Sequence, residues 1–379
     1  MDRKLKIIET AALTWWNASA YYAVAVSRGL KGLGHRLLFI GAPGSPALLK
    51  AAEYGIEVEE GIDLKRNTPS GFVKNLDRLR RLFLEFGPDV INAHQGEGHL
   101  LCALASRITP GRRVIVRTRA DIRRPKTHPL GRVLYGKLTD AVVTSGRFML
   151  DDGYFRNFSF ADDKVHNIYA GIDTDYFSPD ESERRLRKEL GIGKDELLVG
   201  IVARLSSVKG HQTFLGAASM VASRIEGVSF LIAGQEEEVS REELMKAAVA
   251  GGIARKVHFI TRYPDPREII DAIDIGVIAS LGSEAVSRAA LEYMAMGRPV
   301  VSTTAGVLPE VILDGETGIL IKPGDQQEMA NALIGLLGDA RKRTLMGQAG
   351  RRRAVERFSL EEMAKKTETL YLELLERKR

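Results

Sequence analysis

Residues 283–301 read Ser283-Glu284-Ala285-Val286-Ser287-Arg288-Ala289-Ala290-Leu291-Glu292-Tyr293-Met294-Ala295-Met296-Gly297-Arg298-Pro299-Val300-Val301. Ala285–Met296 has the apolar spacing of a helix, Gly297 supplies its stop, and Pro299–Ser302 opens a β-branched run suited to a buried strand. The same rhythm extends both ways. Leu197–Ala203, Ser229–Ala233, Lys256–Ile260, Ile275–Ala279 and Gly318–Ile321 read as strands, with helices at Gln212–Arg224, Arg241–Ala250, Pro266–Ile273 and Asp325–Leu337. The first half repeats it, with strands at Lys4–Thr10, Arg36–Ile40, Asp89–Ala93, Arg113–Thr118 and Ala141–Ser145. Tyr21–Leu33 reads as a helix there, and a second opens at Thr68-Pro69 and stops at Gly87-Pro88. Such alternation predicts parallel sheets with crossover helices. It breaks near 166–195, where Gly171, Pro179 and the charged run Ser182–Lys188 intervene. The expected architecture is therefore α/β, with two Rossmann-like, doubly wound domains over 1–170 and 171–357. Ligands are expected at the carboxyl ends of the strands, in a cleft between the domains.

With 379 residues, 44% hydrophobic and 27% charged, the composition is that of a folded chain long enough for two cores. The one cysteine, Cys102, excludes an internal disulfide and a Cys-rich metal site, and points to a reducing compartment. No signal-peptide pattern opens the sequence and no apolar run is long enough to span a bilayer, so a cytoplasmic, non-integral protein is expected. Residues 1–165 hold 26 Lys+Arg against 17 Asp+Glu. Ten of these cations lie between Arg107 and Lys137, against the single acid Asp121. That imbalance suggests an acidic partner, either an anionic membrane surface or a phosphate-bearing acceptor. Nucleic acid ranks last, because neither interleaved aromatics nor a known motif accompanies the charge.

Placed on one helix, Glu284 and Glu292 would stand about 12 Å apart along the axis. The carboxyl pair of a retaining glycosidase needs about 5–5.5 Å, so they are not that pair. They suit the two ends of one long ligand, with the backbone N–H groups of Ala285, Val286 and Ser287 free for a diphosphate between them. Spacing alone equally allows Glu284 as a cap and Glu292 as a solvated charge.

The surrounding words decide between these. The segment resembles the Glu-x7-Glu motif of the family 4 retaining glycosyltransferases, which have the GT-B fold. The resemblance continues through Thr304–Ile312, Asp314–Gly318 and Lys322–Asp325, and upstream through Gly200–Gly210, Leu231–Gly234 and Gly171–Phe177. In the first half it rests on Gly34-His35, Pro88-Asp89-Val90 and Thr139-Asp140-Ala141. It implies two facing domains, with a C-terminal helix over 358–379 crossing back to the first. It also implies a nucleotide-diphosphate sugar as donor and a glycan or glycolipid as acceptor. Arg204 and Lys209 then match the basic pair on the donor diphosphate, Glu284 the contact to the donor sugar, and Glu292 the contact to ribose. Arg262 and Tyr263 fall where the family holds the base. The Asp173-Thr174-Asp175 segment reads as structural, and no metal or other cofactor is expected.

Two departures from the family pattern stand out. Where a Gly-Gly pair is usual, the chain has Trp15-Trp16-Asn17-Ala18-Ser19. Ala18 and Ser19 are small enough for that role, while Trp15 and Trp16 either stack on a sugar or pack in the core, at least one being expected in the core. Where many relatives place a histidine near the reacting carbon, the chain has Arg119-Ala120-Asp121. Asp121 either serves the acceptor hydroxyl or simply partners Arg119 or Arg123, and His94, at a strand end, is a second acceptor-side candidate. A nicotinamide oxidoreductase is disfavoured because Lys4–Ala20 contains no glycine. A catalytically silent sugar-binding protein on the same fold is the remaining alternative.

Overall fold

The computed structural model describes residues 3–65, 68–151, 153–158, 162–179, 185–261 and 265–378. The chain divides into two compact units, Met1–Gly171 with Ser359–Arg379, and Ile172–Phe358.

The first unit runs β1 (Lys6–Ala11), α1 (Ala18–Gly32), β2 (Arg36–Gly41), α2 (Pro46–Glu53), β3 (Glu57–Glu59), α3 (Pro69–Phe86), β4 (Val90–Ala93), α4 (Gly96–Ile108), β5 (Val114–Arg119), α5 (Pro129–Lys137), β6 (Ala141–Thr144), α6 (Phe148–Asp151) and β7 (Val165–Asn167). Its seven strands lie in the order β3-β2-β1-β4-β5-β6-β7. All neighbours pair in parallel, as crossover helices require. Buried Ile8, Ile40, Ile91 and Ile115 pack on one side with Leu79, Phe83 and Leu101 from α3 and α4.

The second unit runs α7 (Arg185–Glu189), β8 (Leu197–Val202), α8 (His211–Ala222), β9 (Val228–Ala233), α9 (Arg241–Ala250), β10 (Val257–Ile260), α10 (Pro266–Ala272), β11 (Ile275–Ile278), α11 (Arg288–Ala295), β12 (Val300–Thr303), α12 (Leu308–Val311), β13 (Gly318–Ile321), α13 (Gln326–Leu337) and α14 (Ala340–Phe358). Six parallel strands stand in the order β10-β9-β8-β11-β12-β13. Phe214, Phe230, Val277 and Leu333 anchor its core. The last helix, α15 (Leu360–Arg377), returns to the first unit and packs against α1. Ser359 caps it by accepting from the Glu362 N–H at 3.2 Å.

In both sheets the strand order reverses once, between β1 and β4 and between β8 and β11. Such a reversal splays the loops at the carboxyl ends and opens a crevice for ligands. Of the expected site residues, Arg204, Lys209 and Glu284 follow β8 and β11, and Ala18, Ser19 and His94 follow β1 and β4.

Several elements differ from the expectation. The short strands β3 and β7 and the helices α2, α4, α5 and α14 carried no distinct pattern. The helix expected from Ala285 begins three residues later, at Arg288. The basic run is not one solvated face. Arg113, Arg117 and Arg119 are buried, with their guanidinium groups on the Thr109 and Ala93 carbonyls and the Tyr135 hydroxyl respectively. Among the described residues no helix is long and apolar enough to cross a membrane.

Candidate functional site

β8 delivers a short turn, Ser207–Lys209, to the crevice of the second unit. Gly210 follows in the left-handed region (φ +68°), where a side chain would collide with the Ala279 carbonyl. This close approach brings the end of β8 against the end of β11. The Leu281 N–H donates to the Val208 carbonyl at 2.8 Å, and Thr303 Oγ1 donates to the Ser280 carbonyl at 2.7 Å. Glu284 stands in the loop so fixed. Its Oε1 accepts from Lys209 Nζ and from Ser280 Oγ, both at 2.5 Å, and the residue is 5% exposed. The lysine is less enclosed, with a fifth of its side chain open.

The backbone here is unusual. Among the described residues only two non-glycines have positive φ, Ser283 (61°) and Ser287 (49°). They bracket Glu284, Ala285 and Val286. Each such residue costs about 1–3 kcal/mol and persists only where its surroundings impose it. Gly306 helps to impose it, since a side chain there would meet the Glu284 carbonyl oxygen. That same carbonyl accepts from the Val307 N–H at 2.8 Å. Ser287 is the N-cap of α11, yet its hydroxyl caps nothing and is buried without a partner. A buried, orphaned hydroxyl beside a helix start is a place for a ligand oxygen to bind.

Glu292 is 2% exposed, one turn into α11, with its Oε1 2.8 Å from Arg288 Nε. Burial raises its carboxyl pKa against the opposing pull of Arg288. It is no solvated charge. The two glutamates also do not share a helix, so the helical estimate of their separation does not apply. Arg204 is half exposed and forms an ion pair with Glu237. Arg262 and Tyr263 lie outside the described residues.

At the switch point of the first unit, Asn17 caps α1 by accepting from the Ala20 N–H at 3.0 Å, so Ala18 and Ser19 form the helix's first turn. The buried Ser19 hydroxyl donates to the Ala120 carbonyl at 3.1 Å. Neither tryptophan is in the core. Trp15 is 56% exposed with Lys65 over its ring, and half-buried Trp16 meets Tyr21 edge-on. Asp121 accepts from Arg119 at 3.3 Å and from the Arg123 N–H at 3.0 Å. Arg119 itself is buried against Tyr135. His94 does not face the crevice. Its Nε2 lies 2.6 Å from Glu9 Oε2, and both side chains are fully buried. Burial lowers the imidazole pKa to about 3 and raises that of Glu9 well above its ordinary value, so it works against charge on both members of the pair.

Ser280 escaped the sequence reading, although it stands four residues before Glu284 at the end of a strand. Gly306 entered it only within the Thr304–Ile312 stretch, because the carbonyl it approaches is twenty-two residues away.

Two parallel-sheet, Rossmann-like units of this kind define a GT-B glycosyltransferase fold, and the comparisons agree. "Glycosyltransferase Family 4" matches residues 19–176 and "Glycosyl transferases group 1" matches residues 196–339. The chain belongs to the family 4, group 1 glycosyltransferases. A D-inositol 3-phosphate glycosyltransferase of Corynebacterium jeikeium is 33% identical over 55% of this chain and 52% of its own length. An N-acetyl-alpha-D-glucosaminyl L-malate synthase of Bacillus anthracis is 25% identical over 76% of this chain and 75% of its own. The chain thus spans about half the length of the first of these relatives. Among solved structures, a glycosyltransferase from Rickettsia africae superposes with a TM-score of 0.85 at 20% identity, covering 98% of this chain and 99% of that one. Anabaena Alr3699/HepE, solved in complex with UDP and glucose, gives 0.81 at 21% identity over 97% and 99%.

Proposed function

We propose that this chain transfers a sugar from a nucleotide-diphosphate donor to an acceptor hydroxyl with retention of anomeric configuration. The observation that carries the proposal is the Lys209–Glu284–Ser280 constellation, held on strained backbone beside the orphaned Ser287 hydroxyl. The second unit binds the donor, and the first unit takes a glycan or glycolipid acceptor of cell-surface polysaccharide, lipopolysaccharide or glycolipid synthesis. Arg204, Lys209, the N–H groups at Val286 and Ser287 and the Ser287 hydroxyl receive the diphosphate, whose charge grows as the sugar departs. Glu284 contacts the sugar and Glu292 the ribose. In this reading the acceptor attacks the face the leaving group vacates. The departing phosphate oxygen takes the acceptor proton, so no separate base is needed.

Fixed cations replace a metal in this scheme, so activity should survive EDTA. A strict requirement for Mn²⁺ or Mg²⁺ would end that part of the proposal. Thermal protection by UDP-, GDP- or ADP-sugars identifies the donor, since a ligand of the native state raises the unfolding temperature by mass action. Release of free nucleoside diphosphate then separates an enzyme from a silent binding protein. Exposed Arg107, Arg112, Arg123, Arg124, Lys126, Arg132 and Lys137 suit an anionic membrane surface. Salt-sensitive co-sedimentation with anionic vesicles, lost when Arg123, Arg124 and Lys126 become Ser, is the expected result. Equal, negligible binding in every condition would leave a soluble acceptor.

A further inference from the structure

The cations assigned to the diphosphate are already paired with carboxylates. β9 ends at Ala233, and Gly234 follows so close to the Ala203 carbonyl that a side chain would collide with it. The loop beyond, Gln235-Glu236-Glu237-Glu238-Val239, is pinned to the loop after β8 by its backbone. The Leu205 N–H donates to the Gln235 carbonyl at 2.8 Å, and the Glu238 and Val239 N–H groups donate to the Leu205 carbonyl at 3.1 and 3.0 Å. From this pinned loop Glu237 reaches Arg204. Glu238 Oε2 accepts from the Ser207 hydroxyl at 2.8 Å and from the Ser207 N–H at 3.3 Å. These Ser207 bonds, with Arg204 adding to them, hold the Glu238 carboxyl below the usual range.

A guanidinium, a hydroxyl and a backbone N–H at the head of a turn are the donors that bind a phosphate oxygen. Here two carboxylates occupy the Arg204 Nη1, the Ser207 hydroxyl and the Ser207 N–H, the last two on the turn that carries Lys209. One N–H or O–H cannot serve a carboxylate and a diphosphate together. Arg204 and Glu237 are each about half open to water, so a released carboxylate is rehydrated readily, and such pairs are individually weak. The carboxylate side chains can therefore give way to a ligand while the loop's backbone stays pinned.

We propose that Glu237 and Glu238 form an internal competitor for the donor diphosphate, so that nucleotide binding exchanges one anion for another. The proposal rests on Arg204 and the Ser207–Lys209 turn being the diphosphate site. Its consequence is a deliberately loosened grip, which speeds departure of the nucleoside diphosphate after sugar transfer.

Calorimetric titration of the full chain with UDP, GDP and ADP, and with the corresponding uncharged nucleosides, tests it. For the nucleotide that binds, Glu237→Gln should tighten affinity about three-fold, and Glu237→Gln with Glu238→Gln about ten-fold. Nucleoside affinity should stay unchanged, which a general repacking of the loop would not produce. Glu242→Gln, on the exposed face of α9, is the control and should alter neither. Unchanged or weakened diphosphate affinity in the double variant, with wild-type binding intact, overturns the competitor. Absence of diphosphate binding by both proteins removes the parent reading and the competitor with it.

Discussion

Each unit buries an acid against a base near its switch point, and the two pairs have opposite characters. Glu9 and His94 are sealed from water, where burial disfavours charge on either, with the Tyr371 hydroxyl of α15 3.4 Å from Glu9 Oε1 and Asn92 against the imidazole. Glu284 is held between two serines of strained backbone, and its partner Lys209, on the turn after β8, keeps its ammonium partly open. Burial and proximity are common to both, so neither marks a working site. What separates them is the backbone strain, the partial opening of the cation and the orphaned hydroxyl nearby. By those measures the first pair fastens the core, and the second is the one we propose for a ligand.

The comparison can be broken by experiment. Lys209→Ala should cost on the order of 100-fold in turnover with the fold intact by circular dichroism, as loss of one preorganised donor does. Glu284→Gln should lower turnover more than nucleotide affinity. At the sealed pair, His94→Gln should leave the turnover of folded protein within about two-fold, while an unsatisfied buried partner costs about 1–3 kcal/mol of stability. A large loss of turnover at full stability would erase the distinction.

Acid sharpens it further. Burial depresses the His94 pKa from 6.5 to about 3, so below pH 6.5 the unfolded chain binds a proton that the native chain refuses. Its stability contribution is complete above pH 6.5 and is lost as pH falls toward the folded value. The loss approaches about 1.4 kcal/mol per pH unit for this group. Denaturant melts of wild type and His94→Gln between pH 7 and 4 should differ by about that slope, and parallel curves would contradict it. Glu292→Ala should weaken binding of the bare nucleotide about ten-fold, equivalent to about 1.4 kcal/mol, with calorimetry as the check. Trp15→Ala, at an exposed ring, should change stability by under about 0.5 kcal/mol.

The two units were unequally legible in the sequence. In the second, β-branched runs such as Val199–Val202 and Val300–Ser302 and their stopping glycines located the strands to within a residue or two. The family motif then fell on the loops after β8 and β11. The first unit offered weaker signals. β3 and β7 have three residues each, too few to show a period. α4 begins Gly-Glu-Gly-His, with glycine where a helix former is expected. The error about the start of α11 has a physical cause. Ala285 and Val286 are apolar at helical spacing because they are buried in the loop, not because they are helical. Charge was the least informative signal, since Arg113, Arg117 and Arg119 place donors inside the protein and the exposed Glu237 and Glu238 bond to a neighbouring loop.

The return of α15 bears on how the protein is made. Gly29 of α1 and Gly171 lie so close to Leu360 that a side chain on either would strike its backbone, and Tyr371 closes over Glu9. The first unit is therefore finished by residues that follow the whole of the second in the chain. At about 5–20 residues per second, translation of the intervening segment takes roughly 10–40 s. During that interval the earlier-made sheet waits with the α15 face of α1 uncovered, while the later-made unit can fold outright. A ribosome that stops short of Ser359 would release a complete second unit attached to an unfinished first one.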